Sequence, residues 1–577
     1  MYDLIIRNGT IIDGTGAPAR PGDIAVKDGR IAAIGTLSGG AATTIDAEGK
    51  LVAPGFIDPH THYDAQLFWD GYATPSSLHG VTTIICGNCG FTLAPLRPQD
   101  ADYLRRMMAQ VEGMPLEALE QGLPWDWSSF GDFIGNFDGK LGVNAAFMVG
   151  HSAIRRMVMG SDATGNTATA AQVEQMIGLL HDALAAGALG FSTSLSFTHI
   201  DGDGKPVPSR YADWAAEVLP LTRAVKDHPG TTLEFIVDGC VGRFNDDEIK
   251  LMIAMSAGAE RPLNWNVLQI KASDREHYEH QLSASREGAR QGAHIRALTM
   301  PVHVPMCLSF LTHCALHLLP GWGEILRLPV DARIEALKDP AVRLKMMEDA
   351  RRPEAGTLAG LVNWSRYTIG STFSAENEGL DGRNLGAVAA ERGMDPTDCL
   401  FDIVIADGLR TVLWPNIADD SPESWAFRSE AWSDKHILIG GSDAGAHLDR
   451  MSGAAYPASF VEDCLRGKKL VPVERAIHLM TKAPAELFGL VDRGELREGF
   501  KADIVIIDPQ RVGTGEVERA VDLPGGAWRL TSFPKGVDHV FVNGVEIVRE
   551  GRTTGELPGQ VLRSGQDTIT VTPADLN

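Results

Sequence analysis

Short apolar runs alternate with helical stretches over about 400 residues of this chain, and this alternation limits the folds that it can adopt. The runs have the composition of buried strands and read GFIDPHTH, VTTIICGNCG, VNAAFMVGHS, ALGFSTSLS, TTLEFIV, LNWNVLQIKA and HILIGGSDAG. The stretch before the fourth run predicts an amphipathic helix whose apolar stripe is formed by Val173, Met176, Ile177, Leu180 and Leu184. Strands and helices in alternation form parallel βαβ units, either in an open sheet or in a closed (β/α)8 barrel.

Polar and ionisable side chains stand at the ends of several of these runs, at His60, His62, Cys89, His151 and Asp443. A (β/α)8 barrel builds its active site at the C-terminal ends of its strands. The barrel is therefore the stronger of the two interpretations, and we predict an α/β fold.

The two ends of the chain follow a different pattern. The segments DLIIRNGTIID, DIAVKDGRIAAIG and TTIDAEGKLVAPG place β-branched residues beside Asn-Gly, Asp-Gly or Glu-Gly, and HVFVNGVEIVREG repeats this with Asn543-Gly544. Such pairs indicate β-hairpins. We expect residues 1–54 and 485–577 to form one small β-sandwich domain, and residues 55–484 to form a distorted barrel with an insertion around 300–380.

The amino-acid composition argues against several classes of function for this chain. The 577 residues include 52 Lys and Arg against 75 Asp and Glu, so the formal charge is −23, which disfavours binding to nucleic acid. Seven scattered cysteines do not suggest a disulfide framework, and they fit the reducing cytoplasm. No run reaches the ~20 apolar residues that span a bilayer, and the N-terminus lacks the apolar region of a signal peptide. We expect a cytoplasmic protein without a membrane or nucleic-acid partner.

The strongest local signal is His60-Thr-His62 at the end of the apolar run LVAPGFI. Residues two apart on an extended strand point to the same side, so both imidazoles can reach one divalent cation. Asp443 occupies a similar place after HILIGGS, where it could bind the same metal and take a proton from water. The alternatives are two surface or capping histidines, and an aspartate that caps the next helix.

These motifs together resemble the amidohydrolase superfamily. The sequences GFIDPHTHYD, GNCG, VGHS, GSDAG and VNGVEIVREGRTTGELPGQVLR resemble its D-aminoacylase (N-acyl-D-amino-acid deacylase) branch nearly from end to end. The resemblance implies a distorted (β/α)8 barrel in which a metal, usually zinc, activates water to attack an amide carbonyl. It also implies that His60, His62 and Cys89 are metal ligands, and that Asp443 is both a ligand and the general acid/base.

The chain departs from this family at two ligand positions. Strand five, TTLEFIVD, has no histidine, and aligning the Lys-Ala pair of strand six puts Gln269 where the family has one. Glu234 or Asp238 could compensate at strand five. We therefore predict one zinc ion per chain, centred on His60, His62 and Asp443 with Cys89 as an additional ligand, and we regard a second metal as doubtful.

Four further residues are candidates for substrate contacts: His151, Lys271, His447 and Arg450. An arginine could pair with the carboxylate of an N-acyl amino acid. Each residue also has a structural alternative: a satisfied core histidine, an ordinary salt bridge or a solvated charge. The apolar segment that carries His303, Cys307, His313, Cys314 and His317 predicts a buried helix or a pocket wall rather than a zinc site.

The predicted function is hydrolysis of a linear amide other than a peptide bond, namely deacylation of an N-acyl amino acid or a related small molecule. Two alternatives remain. One is a hydrolase of cyclic amides of the hydantoinase type, and the other is a catalytically silent barrel that acts as a binding protein. Self-association into a homo-oligomer is left open by the sequence.

Overall fold

The computed structural model describes residues 1–312, 315–416 and 418–576, so His313 and Cys314 of the apolar segment lie outside the described residues. The chain divides into two compact units, Met1–Val304 with Ser421–Asn577, and Pro305–Asp420. Within the described residues, no helix is both long and apolar enough to cross a membrane.

Parallel strands form the centre of the first unit. We number eight of them β1 to β8: Phe56–Asp58, Val81–Cys86, Asn144–Phe147 with its continuation Val149–Gly150, Gly190–Ser194, Thr232–Ile236, Leu263–Trp265, Ile295–Thr299 and Ile437–Ile439. One sheet joins β1, β2 and β3, and another runs from the continuation of β3 through β4, β5, β6 and β7 to β8. Beyond the strand ends, Thr61 after β1 pairs in parallel with Ala444 after β8.

The strands are buried because both of their faces are covered. Every residue of β2, β4 and β5 is buried, as expected for parallel strands that carry helices on one face. Apolar side chains from five strands pack into one shared cluster, which includes Ile57, Ile85, Ala146, Leu298 and Leu438. The strands β1, β2, β3, β7 and β8 therefore share one core.

Helices connect the strands of the first unit. Their bounds are Ala101–Val111, Leu116–Gly122, Phe130–Gly135, His151–Met159, Ala170–Ala185, Leu219–Ala224, Asp238–Val241, Asp246–Ala259, Arg275–Arg290, Pro422–Ala431, Tyr456–Leu465, Val473–Met480, Lys482–Phe488 and Pro573–Leu576. The helix Ala170–Ala185 is the predicted amphipathic one. It begins with a capping box between Thr169 and Gln172, and its apolar stripe is largely buried.

Strands from both ends of the chain share one sheet of nine strands. Its members are Tyr2–Ile11, Arg20–Lys27, Arg30–Gly35, Ala41–Asp46 and Leu51–Pro54 with Ile504–Ile507, Val537–Val542, Val545–Arg549 and Arg552–Thr553. Leu51–Pro54 pairs with Ile504–Ile507 in antiparallel fashion, which joins the N-terminal strands to the C-terminal ones. Two smaller antiparallel pairs join Gly513–Thr514 to Pro534–Lys535, and Glu518–Ala520 to Arg529–Thr531.

Two of the predicted hairpins form and two do not. Asp28-Gly29 and Asn543-Gly544 both have positive φ at each residue, as tight two-residue hairpin loops require. Asn8 instead lies in an irregularity within the single strand Tyr2–Ile11. The strands on either side of Glu48 both pair in parallel with that first strand, so the expected hairpin there is wrong.

The second unit has its own apolar core. Its helices are Trp322–Leu326, Val330–Lys338, Pro340–Asp349, Leu385–Arg392 and Pro396–Ala406, and the short strands Thr368–Ile369 and Leu413–Trp414 pair in antiparallel fashion. Phe310, Trp322, Trp364 and Phe401 pack together in its centre. In its described part, the apolar segment is irregular apart from the short 3-10 helix Leu316–Leu318, and Leu308 and Phe310 are buried. Of the two predicted alternatives, a buried helix or a pocket wall, the buried helix is therefore wrong.

Candidate metal centre

The His60-Thr61-His62 segment is held from both sides just after β1. The Thr61 N–H and hydroxyl both donate to the carbonyl of Ile85 on β2, at 2.9 and 2.8 Å. On the other side, the His62 N–H donates to the carbonyl of Ala444, at 2.7 Å. Both imidazoles are buried and fixed between the ends of neighbouring strands.

The Gly-Asn-Cys-Gly loop after β2 is fixed by carboxylates. The Gly87 N–H donates to Asp64 Oδ2 at 3.2 Å, and the Cys89 N–H donates to Glu234 Oε2 at 2.8 Å. The buried Asn88 amide donates to the carbonyl of Thr61 at 3.1 Å. These contacts bring the Cys89 side chain up to the two histidines.

Both glycines of this loop are required by close packing as well as by a positive φ. A Cβ at Gly87 would lie 2.3 Å from the carbonyl oxygen of Met148. A Cβ at Gly90 would lie 2.9 Å from the backbone nitrogen of Ser194. The loop can therefore press against β3 and β4 only because these positions lack side chains.

Asp443 is carried by a strained loop after β8. Its φ is 52°, a left-handed conformation that is uncommon for a residue other than glycine. The preceding Ser442 hydroxyl donates to Asp58 Oδ2 at 2.5 Å, so the loop is tied to the end of β1. The strain and the tie together position the Asp443 carboxylate beside the histidines.

Four side chains converge at this point. His60 Nε2 lies 3.5 Å from Cys89 Sγ and 3.3 Å from Asp443 Oδ1. His62 Nε2 lies 3.8 Å from the same Asp443 oxygen. One ligand atom from each of His60, His62 and Cys89 lies within 4.8 Å of the others, which is the spacing of a metal-binding group.

Burial sets the charge state of these groups. It lowers the pKa of His60 well below its usual value and that of His62 to about 3, so both imidazoles are neutral and can act as ligands. Burial, and then the charge of Asp58, raises the pKa of Asp443 to about 7. A quarter of the Asp443 side chain remains exposed, which leaves it open to water.

The donor set fits a divalent cation. Several buried polar atoms lack a hydrogen-bond partner among the described residues, and they surround the cluster: Asp443 Oδ1, His60 Nδ1, His62 Nδ1, Glu234 Oε1 and Asn266 Oδ1. Burial and neighbouring carboxylates also raise the pKa of the Cys89 thiol well above its usual value, a cost that coordination to a metal would offset. Nitrogen, sulfur and oxygen donors in one group are typical of zinc.

The sequence comparisons identify the family. Residues 43–548 match the family model described as the amidohydrolase family. This chain belongs to the amidohydrolase family. It is 30% identical over 571 residues to a D-aminoacylase from Alcaligenes xylosoxydans xylosoxydans, and the match covers 97% of each chain. The predicted resemblance is thereby confirmed.

Solved structures agree with this assignment. The amidohydrolase resembles a crystal structure of D-aminoacylase with a TM-score of 0.64 and 26% identity, and the match covers 98% of this chain and 100% of the other. A second D-aminoacylase structure has a TM-score of 0.63, 26% identity and the same coverage, and it comes from work on the functional role of the binuclear metal centre in D-aminoacylase. The mixed α/β fold of this chain is therefore that of D-aminoacylase.

The structure shows which side chains from strands five and six of this amidohydrolase lie near the cluster. Glu234 on β5 reaches the cluster through Cys89, whereas Asp238 Oδ1 accepts a hydrogen bond from the Phe197 N–H. After β6, the Asn266 amide lies 3.4 Å from His60 Nε2. The strand β6 ends at Trp265, so Asn266 is the first residue beyond it, and Gln269 comes three residues later.

Two residues near the cluster were missed from the sequence. Glu112 is buried next to it, with Oε1 3.6 Å from His62 Nδ1. His199, on the loop after β4, is close enough that its charge would lower the pKa of both His60 and His62. Glu112 follows no strand run, so its position in the sequence gave no signal, whereas His199 comes just after the run ALGFSTSLS and could have been found from that position.

The four predicted substrate contacts lie in different surroundings. His151 is fully buried, and its ring nitrogens bond Thr193 Oγ1 at 2.8 Å and Glu217 Oε1 at 2.9 Å. The half-buried Lys271 lies near His277, whose pKa is lowered mainly by burial and to a smaller extent by the charges of Arg243 and Lys271.

His447 and Arg450 lie on the loop that also carries Asp443. The backbone N–H of His447 donates to the carbonyl of Glu112. Burial, and then the charges of Arg450 and His62, lower the pKa of His447 well below its usual value. Arg450 Nε donates to Asp449 Oδ1 at 2.7 Å. The structure thus brings His447 close to the cluster, while His151 belongs to a separate buried network.

Proposed function

We propose that this amidohydrolase deacylates N-acyl amino acids or related N-acyl compounds, by hydrolysing a linear amide that is not a peptide bond. The observation that carries the proposal is the convergence of His60, His62, Cys89 and Asp443 at the ends of β1, β2 and β8. The similarity to D-aminoacylase over 97% of the chain supports the same class of substrate.

We propose that His60, His62, Cys89 and Asp443 hold one zinc ion per chain. Zinc bound there would supply Lewis acidity to a carbonyl oxygen and to water. A related D-aminoacylase has a binuclear centre, but the side chains that β5 and the end of β6 bring to the cluster of this chain are Glu234 and Asn266. An amide oxygen is a poorer zinc ligand than an imidazole, which supports a single metal.

Asp443 would carry the proton in the reaction. Its carboxylate accepts a proton from the attacking water while the water oxygen forms a bond to the amide carbon. The same carboxyl then gives that proton to the amine nitrogen as the carbon–nitrogen bond breaks. Its position beside both imidazoles and its exposed edge support this role, because the group must reach both ligands and water.

The surroundings of the four candidate substrate contacts differ, and so does the support for each. His447 and Arg450 share the loop of Asp443, so we propose that a substrate carboxylate binds on that side of the cluster. Lys271 follows β6 and is retained as a candidate. His151 is a weaker candidate, because both of its ring nitrogens already have partners inside the protein.

We also propose that β1 to β8 close into a distorted (β/α)8 barrel spanning residues 55–484, and that residues 1–54 and 485–577 form the small β-sandwich domain. The bridge between Thr61 and Ala444 and the cluster shared by five strands support closure. The sheet shared by both ends of the chain supports the second domain. Five buried cysteines that form no disulfide support a reducing, cytoplasmic environment: Cys86, Cys89, Cys240, Cys399 and Cys464.

A substrate screen tests the proposed function. Purified protein, with and without added zinc, is incubated with N-acyl derivatives of D- and L-amino acids, and the released amine is measured. We expect hydrolysis of at least one N-acyl amino acid that depends on zinc. Hydrolysis of hydantoins alone would favour the cyclic-amide alternative. Binding without turnover of any compound would favour a catalytically silent protein.

A further inference from the structure

Asn266 is an uncharged residue at the metal cluster, and it has no part in the reaction as proposed above. Its Nδ2 atom lies 3.4 Å from His60 Nε2. Two of the proposed ligands lie at nearly the same distance from that nitrogen, with Cys89 Sγ at 3.5 Å and Asp443 Oδ1 at 3.3 Å. The Asn266 amide therefore belongs to the group of side chains that converge on this point.

The chain on either side of Asn266 is fixed. Trp265 is fully buried, and its ring meets the ring of Phe244 edge-on at a centroid distance of 5.1 Å. On the other side, the Leu268 N–H donates to the carbonyl of Leu298 on β7, at 2.8 Å. Because Asn266 lies between these two anchors, its side chain can present a polar atom at the cluster with little reorganisation.

The position of Asn266 also borders the open side of the cluster. Trp265 is fully buried, whereas Val267 leaves 37% of its surface exposed, and Asn266 between them is half-buried. Asp443 likewise keeps a quarter of its side chain exposed. Asn266 and Asp443 thus combine a contact with His60 Nε2 with an exposed edge, as a residue that touches the substrate must.

Most of the hydrogen-bonding capacity of the Asn266 amide is unused. Such a side chain can donate two hydrogen bonds and accept two. Among the described residues, the buried Oδ1 atom has no partner, and the contact with His60 Nε2 is the sole hydrogen bond of Nδ2. Nε2 has one lone pair, and coordination of a cation by His60 would occupy it. The Asn266 N–H groups are then free to bind a substrate atom.

The chemistry of the neighbouring side chains indicates which substrate atom this is. Cys89 and Asp443 bind a cation as anions, so each presents an acceptor to the cluster. Of the three described side chains in contact with His60 Nε2, the Asn266 amide alone is a permanent donor. The scissile amide has one strong acceptor, its carbonyl oxygen, and this atom gains charge when water adds to the carbon.

We propose that Asn266 is a catalytic residue whose Nδ2 donates a hydrogen bond to the oxygen of the scissile amide carbonyl. This inference rests on the proposed function. The carbonyl oxygen gains negative charge as the water oxygen bonds to the carbon, and a fixed donor stabilises that charge more than it stabilises the bound substrate. Asn266 transfers no proton, because Asp443 accepts the proton of the water and gives it to the leaving amine.

Three substitutions at this position test the role. Asn266→Leu keeps the approximate volume and removes the donor, and Asn266→Asp keeps the shape and replaces the donor by an oxygen. Asn266→Gln keeps an amide donor on a side chain that is one methylene longer. We expect the first two to lower kcat by about 10²- to 10³-fold, with little change in the KM of Asn266→Leu. Asn266→Gln should be at least about tenfold more active than Asn266→Leu.

Two binding measurements separate this role from a structural or metal-binding one. The zinc affinity of Asn266→Leu, measured by competition with a chelator, should equal that of the wild type, because the donor is not a ligand. A phosphonate analogue of the tetrahedral intermediate should bind zinc-loaded Asn266→Leu about 10²-fold more weakly. Asn363→Leu, the same substitution at an exposed asparagine of the second unit, is the control and should leave kcat and both affinities unchanged.

The outcomes distinguish the inference from the function on which it rests. A kcat within about threefold of the wild type in Asn266→Leu or in Asn266→Asp would overturn the inference alone. Weakened zinc binding in Asn266→Leu would assign Oδ1 as a metal ligand and would also overturn it. If Asn266→Leu melts below the wild type, the comparison of Asn266→Asp with Asn266→Gln decides the matter, and equal kcat in these two would overturn the inference. A wild-type protein that neither hydrolyses N-acyl amino acids nor binds the phosphonate would overturn the proposed function, and the inference with it.

Discussion

Asp443 is the residue on which the proposed chemistry depends most. Its left-handed backbone and the bond between Ser442 and Asp58 direct one carboxylate oxygen to both histidines. A carboxylate that both binds the cation and moves a proton should tolerate no neutral replacement, even one of the same shape.

We therefore expect Asp443→Asn to lower kcat by at least about 10³-fold, because an amide cannot accept the proton of the attacking water. The melting temperature should remain near that of the wild type, and part of the zinc should stay bound to the remaining ligands. Steady-state kinetics and metal analysis of the same preparation check both points. Activity close to normal would remove Asp443 from the mechanism.

Glu112 acts on the cluster through a ligand. Its Oε1 lies 3.6 Å from His62 Nδ1, and a carboxyl group that bonds a metal-binding imidazole orients the ring and makes it a better ligand. We expect Glu112→Gln to weaken zinc binding by about 10- to 100-fold, as measured by competition with a chelator. Glu120→Gln, at an exposed position on the next helix, is the matched control. Unchanged zinc affinity in Glu112→Gln would exclude the role.

At the scale of elements, the buried network around His151 joins two helical segments. Glu217 Oε1 accepts from the guanidinium of Arg155 at 2.5 Å and bonds His151, and all three side chains are buried. Arg155 belongs to the helix His151–Met159, and Glu217 lies in the π-helical turn Trp214–Val218. This network supports the fold, and it accounts for His151 without a substrate contact.

Removal of one partner from a buried ion pair leaves the other charge uncompensated. We expect Arg155→Met to destabilise the protein by about 3–5 kcal/mol and to lower its melting temperature markedly. The double variant Arg155→Met/Glu217→Leu should recover much of this loss, since neither charge remains. Calorimetry on the three proteins makes the comparison. A single variant as stable as the wild type would show that the pair contributes little.

More of the strands could be predicted from the sequence than of the contacts between them. The seven apolar runs each mark a buried strand or its end, and the motifs at His60, Cys89 and Asp443 meet in space. The alignment of Lys-Ala selected Gln269, but the short strand β6 places Asn266 beside His60 instead. Strand ends depend on pairing with neighbours, which a local pattern does not contain.

Local sequence patterns did not identify the site residues that come from loops and helices. Glu112 and His199 approach the cluster only through tertiary packing, and each lies far in sequence from the residue that it affects. At Asn8 and Glu48 the local sequence predicts a turn between paired strands, but pairing in the nine-stranded sheet determines the structure there instead. Local chemistry identified the donors, and long-range packing determined their surroundings.

At the scale of the whole molecule, two ties hold the first and last parallel strands in register. Thr61 pairs with Ala444, and Asp58 accepts a hydrogen bond from Ser442. Through them, residues nearly 400 positions apart in sequence share one site. The metal ligands can therefore form a complete set only when the parallel strands have all assembled, so the proposed activity depends on the fold as a unit.

A zinc titration of metal-stripped protein, in which hydrolysis of an N-acyl amino acid is followed, tests whether one zinc ion per chain supports the reaction. We expect no turnover without metal, and a rate that rises with added zinc to a plateau at one ion per chain. A rate that is independent of zinc, or that appears only after two ions are bound, would contradict this expectation.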